Sequence, residues 1–200
     1  MLEYVLTSEG SEIIRKDLCE RLLEGQVGIV PTDTVYGLVC LADNESGRDR
    51  ICRMKKREAS KPMQFLLGTV DHCRWLDIPV TDHLRKLADA FWPGPLTIVV
   101  ADRHQRLQGI RIPNHEFVRR LITEIGRPLL ASSANLSGED PAKSYEQTFH
   151  DLNGEPDFML LHGALASLAS TVIHLREDGS FEMLRAGTIT DGQLREALAR

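Results

Sequence analysis

Residues 27–38 read VGIVPTDTVYGL, a short apolar run followed by a proline and a cluster of polar side chains. The run at 27–30 is rich in β-forming residues and predicts a strand that ends at Pro31, because proline lacks the backbone N–H that a strand ladder needs. The segment from Pro31 to Tyr36 is then a loop at a strand end, a common place for ligand contacts in α/β folds. This stretch therefore predicts an α/β domain with polar groups beyond a buried strand.

Helix and strand patterns alternate along the rest of the chain. A helix is expected at 11–24, with Ser11 as its cap and Gly25 as its stop. Further helices are expected at 46–56, 82–91, 116–124, 145–152 and 191–199, the last with Thr190 as its cap. Further strands are expected at 63–67, 96–100, 110–112, 129–131, 171–175 and 181–184. Because some strands are adjacent and others are separated by helices, the order predicts one α/β domain over 1–200, with a mixed twisted β-sheet flanked by helices.

Composition and charge set the broad class. The chain is 42% hydrophobic and 26% charged, which is typical of a globular protein with one substantial core. No apolar run approaches the roughly 20 residues that cross a bilayer, and no secretory signal pattern opens the chain, so we expect a cytoplasmic protein without a membrane partner. The four cysteines are widely spaced and predict reduced structural thiols. A net charge of -5 argues against a surface covered by nucleic acid but leaves room for a local basic patch.

Two polar motifs follow the first strand and the second helix. PTDTVYGL at 31–38 suits a small polar ligand, or it forms a turn whose Thr and Asp side chains bind their own backbone. KKREASKP at 55–62 carries four cations, which suits phosphate groups, although a solvated basic helix end has the same composition. The chain contains no G-x-x-x-x-G-K-[ST] sequence. Any nucleotide is therefore expected to lie against side chains and ordinary loops.

Three further motifs carry polar groups near predicted strands. RIPNH at 111–115 sets Arg111 in an apolar strand, where a buried guanidinium needs an anion: either a ligand carboxylate or an internal Asp or Glu. SSANLSG at 132–138 is dense in hydrogen-bonding groups but lacks the frame of a nucleophilic serine. FWPGPLT at 91–97 indicates a stiff structural corner. Two further polar residues are singled out, Ser170 at the start of a predicted strand and Arg185 at the end of another.

Taken together, these motifs closely resemble the YrdC-like family of threonylcarbamoyl-AMP synthases over nearly the whole chain. The resemblance rests on their order and spacing: PTDTVYGL, K-x-R-x-x-x-K-P from Lys55 to Pro62, WPGPLT, RIPNH, SSANLSG, STV and LRAG. It implies the YrdC-like fold with a deep ligand cleft. It also implies the synthesis of threonylcarbamoyl-AMP and pyrophosphate from L-threonine, bicarbonate or CO2, and ATP with Mg²⁺. The product would pass to the tRNA threonylcarbamoyl transferase machinery.

The resemblance also implies roles for individual residues. Contacts to threonine are expected from Thr34, Arg111, Ala131 and Ser170. Contacts to ATP are expected from Arg57, Lys61, Ser133, Asn135, Pro141 and Arg185. Catalytic roles fall to Arg57 and Lys61 with Lys55, and no metal site of the protein's own is implied. Two positions depart from the family pattern, because Leu66 stands where relatives often carry a His near threonine, and Leu107 where many carry a Ser or Thr near ATP.

Two other functions compete with the synthase. A non-catalytic paralogue that binds tRNA or double-stranded RNA, or assists ribosome assembly, is suggested by the basic run at 53–61 with Arg119 and Arg120. A simple nucleotide hydrolase would release phosphate without threonine. The intact TVYGL and SSANLSG motifs favour the synthase, because a pure RNA binder does not need these hydroxyl groups.

Overall fold

A computed structural model describes residues 1–6, 11–139, 152–161 and 168–200. Pro141 and most of the helix predicted at 145–152 lie outside these residues. The described strands are β1 (Leu2–Val5), β2 (Gly28–Val30), β3 (Gly37–Leu41), β4 (Gln64–Leu66), β5 (Leu96–Ala101), β6 (Leu107–Arg111), β7 (Leu129–Ser133), β8 (Phe158–Leu161), β9 (Thr171–Leu175) and β10 (Phe181–Arg185). The described helices are α1 (Ser11–Leu23), α2 (Glu45–Met54), α3 (Asp82–Phe91), α4 (Glu116–Ile125) and α5 (Asp191–Ala199), with a 3-10 helix at Val70–Leu76.

All of these strands belong to one sheet, in the order β1-β8-β2-β3-β7-β4-β6-β5-β9-β10. The pairs β1 with β8, β2 with β8, β4 with β6 and β5 with β9 are parallel, and the remaining neighbours are antiparallel. The prediction of an α/β fold with a mixed sheet is therefore confirmed.

Helix ends follow local hydrogen-bonding chemistry. Thr190 caps α5 as predicted, because its hydroxyl accepts from the backbone N–H of Gln193 while the Gln193 side chain accepts in return. Helix α2 begins after Asn44, whose side chain accepts from the backbone N–H of Gly47. Ser11, predicted as a cap, is the first residue of α1. For the predicted helices that the structure describes, the starts and ends are otherwise within two residues of those observed.

Strands β1, β3 and β8 were not predicted. Strand β3 reads GLVCL and all of its residues are buried. A strand buried on both faces shows no alternation of apolar and polar residues, so it lacks the usual sequence signal. Strand β3 affects the candidate site directly. Because β3 pairs with β2 in the antiparallel direction, the loop at 31–36 is the hairpin connection between these two strands.

The sheet has helices on both faces. Residues that pair across neighbouring strands point to the same side of the sheet. One such row consists of Leu130, Phe65, Ile110 and Ile98, and it faces the cores formed with α2, α3 and α5. On the other face, α1 and α4 pack against Val39 of β3, Ala131 of β7, Leu66 of β4 and their neighbours. The residues on this second face beyond β4 line a cavity instead.

Candidate active site

A cavity of about 680 Å³ opens over the β4-β6-β5-β9 part of the sheet, a size typical of small-molecule sites. Alternate residues of the strands form its floor, which consists of the side chains of Gln64, Thr97, Val99 and Val172 and the backbone of Gly109. Loops after β2, β7 and α2 supply its walls. Of the predicted site residues, the cavity is lined by Thr34, Lys55, Arg57, Arg111, Ala131, Ser133, Asn135, Ser170 and Arg185.

Arg111, at the end of β6, is 2% exposed and already has three protein partners. Its Nε donates to the carbonyl oxygen of Gly94 (3.0 Å), Nη1 to Thr34 Oγ1 (2.8 Å) and Nη2 to Asp33 Oδ1 (2.6 Å). Burial lowers the pKa of Arg111 from its ordinary value, and the nearby Asp33 carboxylate opposes that shift. The internal carboxylate partner that the sequence left open is therefore Asp33. A guanidinium has five N–H groups, so one N–H on Nη1 and one on Nη2 are left for a ligand.

The hairpin loop between β2 and β3 is held in shape by Thr32. The Thr32 hydroxyl donates to the carbonyl oxygen of Val35 (2.6 Å) and accepts from the backbone N–H groups of Thr34 and Val35 (3.2 Å each). The sequence offered a ligand loop and a self-satisfied turn as alternatives. The self-satisfied turn is present through Thr32, and Thr34 lines the cavity, so the prediction of a ligand contact from this loop stays open.

Arg185, at the end of β10, also lines the cavity and is fixed by Ser170. Its Nε donates to the Ser170 carbonyl oxygen (3.1 Å) and its Nη2 to Ser170 Oγ (2.9 Å). Burial lowers the pKa of Arg185 from its ordinary value. Gly187 allows this contact, because a Cβ there would lie 2.5 Å from the backbone nitrogen of Thr171 and 2.7 Å from the carbonyl oxygen of Ala169. The glycine of LRAG thus lets two backbone segments approach closely.

Lys55 is not part of a solvated helix end, because it is only 1% exposed. Its Nζ donates to the backbone carbonyl oxygens of Ser133 and Asn135. Desolvation lowers the pKa of Lys55 to about 8, with a smaller contribution from the neighbouring charge of Arg57. Lys55 therefore joins the end of α2 to the loop after β7, and the alternative of a solvated cation is wrong at this position.

The two other predicted catalytic cations have different positions. Arg57 lines the cavity; its Nη2 donates to the carbonyl oxygen of Pro62 (2.7 Å), and its buried Nε has no hydrogen-bond partner among the described residues. Lys61 is exposed and is not among the described residues that line the cavity, although Pro62 is. The structure thus brings Arg57, and not Lys61, to the cavity wall.

The loop after β7 is organised by Asn135, which is 5% exposed. Its Nδ2 donates to the carbonyl oxygens of Leu136 (2.9 Å) and Glu139 (2.7 Å), while its buried Oδ1 has no partner in the part of the chain that the structure describes. Ser133 and Ala131 lie on β7 and line the same wall. The SSANLSG motif therefore forms a wall of backbone and amide groups.

The two departures from the family pattern both lie in the cavity lining as apolar side chains. Leu66 is fully buried and also packs in the core beneath α1 and α4, whereas Leu107 is 56% exposed at the start of β6. Neither side chain can donate a hydrogen bond, so any polar contact at these positions comes from the backbone.

Sequence reasoning missed several residues that complete the site. Asp33 lies within the PTDTVYGL motif, and only the fold shows that it reaches Arg111. Gly94, assigned to a structural corner, accepts from Arg111, and a Cβ there would lie 2.4 Å from the Phe91 carbonyl oxygen. Thr97 is hydrogen-bonded both to Ser170 and to Gln64. A polar residue inside an apolar strand was the available signal for Thr97.

Within the described ranges, no three His, Cys, Asp or Glu side chains are grouped so that they could hold a metal ion. Glu139 is the one carboxylate among the described lining residues. No helix in that same part of the chain is long and apolar enough to cross a membrane.

Comparison with known proteins agrees with the architecture. The family model for Sua5, YciO and YrdC proteins, described as "Telomere recombination", matches residues 20–187. The chain belongs to the Sua5/YciO/YrdC family. The shared region includes every described residue that lines the cavity, so the site lies entirely within the family domain.

Several relatives of the family domain carry functional names. Mouse threonylcarbamoyl-AMP synthase is 34% identical over 194 residues, which is 88% of this chain and 68% of the mouse protein. The putative threonylcarbamoyl-AMP synthase of Methanocaldococcus jannaschii is 29% identical over 93% of this chain and 91% of that protein. The solved structure of Pyrococcus abyssi Sua5 complexed with L-threonine is similar with a TM-score of 0.86 and 28% identity, covering 98% of this chain and 60% of that one.

Proposed function

We propose that this chain is an L-threonylcarbamoyladenylate synthase that acts in the cytoplasm and supplies an activated intermediate for tRNA modification. The observation that carries the proposal is one cavity whose lining includes the buried Arg111 with Thr34 and also Arg57 and Arg185. An amino acid and a nucleoside triphosphate bound together need cationic groups for two separate anions in one cavity. The named relatives of the family domain support the same assignment.

The amino acid is assigned to the Arg111 end of the cavity. The two remaining N–H groups of Arg111 match the two oxygens of an α-carboxylate, and a charge-assisted pair of this kind is strong when it is desolvated. Thr34 and Ser170 offer hydroxyl oxygens nearby, and Ala131 offers only its backbone and a methyl group. This end thus combines a fixed anion site with small polar groups, as a small hydroxy amino acid requires.

The nucleotide is assigned to the side lined by Arg57, Ser133, Asn135 and Arg185. The unpartnered Nε of Arg57 and Oδ1 of Asn135 are buried polar atoms, and such atoms normally find a partner. A phosphate oxygen would satisfy the Arg57 N–H, and a ribose hydroxyl or an adenine amino group would satisfy the Asn135 oxygen. Val99, Val172 and Leu184 provide an apolar surface for the base.

The reaction needs little acid–base chemistry from the protein. The neutral amino group of threonine forms an N–C bond to the carbon of CO2 with release of a proton to solvent, or to the carbon of bicarbonate with loss of water. A carbamate oxygen then attacks the α-phosphorus of ATP, and the bond to pyrophosphate breaks. Positioning of the two substrates and stabilisation of the leaving negative charge by Arg57 and Arg185 supply the catalysis.

Mg²⁺ would enter with ATP. Its usual ligands are phosphate oxygens, water and one or two carboxylates, which is consistent with a cavity where Glu139 is the single described carboxylate. The ion would neutralise part of the triphosphate charge. The protein would hold the phosphates against Arg57, whose charge would neutralise a further part of the triphosphate.

The decisive experiment is mass spectrometry of a reaction containing the protein, ATP, Mg²⁺, L-threonine and bicarbonate. Threonylcarbamoyl-AMP should appear, and pyrophosphate release should require both threonine and bicarbonate. Phosphate release without threonine would instead indicate a hydrolase. Tight tRNA binding without ATP consumption would indicate the RNA-binding alternative, for which Arg120 offers little support because it pairs with Glu116 (2.7 Å).

A further inference from the structure

The hydroxyl group of Ser170 is the middle member of a hydrogen-bonded chain. Thr97 Oγ1 donates to Gln64 Oε1 (2.8 Å) and lies 2.9 Å from Ser170 Oγ. A hydroxyl has one proton, so Thr97, which has given its proton to Gln64, must accept from Ser170. Arg185 Nη2 also donates to Ser170 Oγ (2.9 Å). The Ser170 proton is therefore committed to Thr97, and one oxygen lone pair of Ser170 is left.

The hydroxyl group of Thr34 is less fully defined. Thr32 donates its only proton to the Val35 carbonyl oxygen (2.6 Å) and already accepts from two backbone N–H groups, so its 3.1 Å contact with Thr34 Oγ1 does not fix the direction of the Thr34 proton. Arg111 Nη1 donates to Thr34 Oγ1 (2.8 Å). Both cavity hydroxyls thus accept from an arginine, but only the Ser170 hydroxyl has a defined acceptor for its proton.

We propose that Thr97 is a positioning residue that fixes the hydroxyl of Ser170 as a hydrogen-bond acceptor for the amino group of the substrate. The inference rests on the proposed function and deepens it. Carboxylate and carbamate oxygens carry no proton, so they are repelled by the free lone pair of Ser170 and are directed to the guanidinium N–H groups. An amino group keeps N–H donors even after it has lost the proton that blocks its attack on CO2. The acceptor therefore binds and orients the amino group both before and after that proton is lost.

The position to test is Thr97, which is 3% exposed and for which valine has nearly the same shape without the hydroxyl. In Thr97→Val, the Ser170 proton loses its acceptor and is free to turn toward the ligand, where it opposes the substrate N–H. Thr97→Ser keeps the hydroxyl and is the matched control. Gln64→Leu is a second variant, because it frees the Thr97 proton to turn toward Ser170.

The measurement is the affinity of each folded variant for L-threonine and for (R)-3-hydroxybutyrate, which is threonine without its amino group. Thr97→Val and Gln64→Leu should weaken threonine binding about tenfold, the size of one hydrogen bond, and leave hydroxybutyrate binding unchanged. Thr97→Ser should bind both ligands as the wild type does. An equal loss for both ligands, or wild-type threonine affinity in both Thr97→Val and Gln64→Leu, would overturn the inference.

The positioning role of Thr97 and the proposed function can be refuted separately. If the wild type forms threonylcarbamoyl-AMP and the variants bind threonine normally, only the positioning role of Thr97 falls. If the wild type neither binds threonine nor forms the product, the proposed function falls and the positioning role falls with it. Thermal unfolding of each variant establishes that the affinities refer to folded protein.

Discussion

Replacing Arg111 by alanine should affect both stability and threonine binding, and the structure allows the two effects to be separated. In Arg111→Ala, Asp33 loses its charged partner while it stays largely buried, with a side chain only 13% exposed. Removal of one member of a buried ion pair typically costs about 3–5 kcal/mol in the free energy of unfolding. We expect Arg111→Ala to lie in that range, because three hydrogen bonds are lost at once.

The effect on binding is an additional loss. If the two remaining N–H groups of Arg111 hold the α-carboxylate of threonine, their removal should weaken threonine binding by about 2–4 kcal/mol. This corresponds to roughly 30-fold to 1000-fold in the dissociation constant. ATP binding should change less, because Arg111 is not among the residues assigned to the nucleotide, although its charge interacts with that of Arg185.

The assay combines urea unfolding with calorimetric titration of threonine under conditions where the variant is folded. Arg120→Ala is the matched control, because Arg120 forms an exposed ion pair with Glu116 in which both side chains are about two-thirds exposed. Such a pair contributes less than about 1 kcal/mol, and threonine affinity should not change. Unchanged threonine affinity in folded Arg111→Ala would remove the carboxylate assignment, and a stability loss as small as that of Arg120→Ala would contradict the buried pair.

Three further outcomes are expected. Arg57→Ala should lower the rate of threonine-dependent pyrophosphate release by roughly 10²-fold at saturating ATP, whereas Lys61→Ala, exposed and away from the wall, should lower it far less; equal losses would contradict this difference. Burial lowers the pKa of Lys55 to about 8, so between pH 8 and its ordinary value of 10.5 the unfolded chain binds the proton that the native chain has released. The free energy of unfolding of the wild type should therefore rise relative to that of Lys55→Met across this window, and a constant difference would show that Lys55 titrates normally. Gly187→Ala should lower both the unfolding temperature and ATP affinity, because its Cβ would lie 2.5 Å from backbone, whereas Gly192→Ala on α5 meets nothing within 4 Å and should be neutral or slightly stabilising.

The elements with strong local signals were predicted well from the sequence. Helices α3 and α5 and strand β9 have the predicted bounds, because caps, apolar periodicity and β-branched residues act within a few positions of one another. Strand β3 was missed because it is buried on both faces, and its order beside β7 depends on pairing that local patterns do not encode.

The site shows the same division. Motifs identified most of the cavity residues, but not their partners. Asp33 could be identified as a partner of Arg111 only from the fold, because the two residues are 78 positions apart in sequence. The burial of Lys55 depends on the loop after β7, and the outward position of Lys61 depends on the path of a loop that contains a left-handed Lys56, with a φ of 47°. Spacing within a motif fixes none of these directions.

The order of strands in the sheet also bears on how the protein acquires its binding ability during folding. Contacts that build the cavity join residues far apart in sequence, such as Lys55 with Asn135, 80 positions later, and Thr97 with Ser170, 73 positions later. Contacts of this kind close large loops, so they are among the slowest to form, and a partly folded chain cannot hold them. Threonine binding should thus appear only in the last step of refolding. A chain released before β9 and β10 are synthesised would have most of its helices but no binding site.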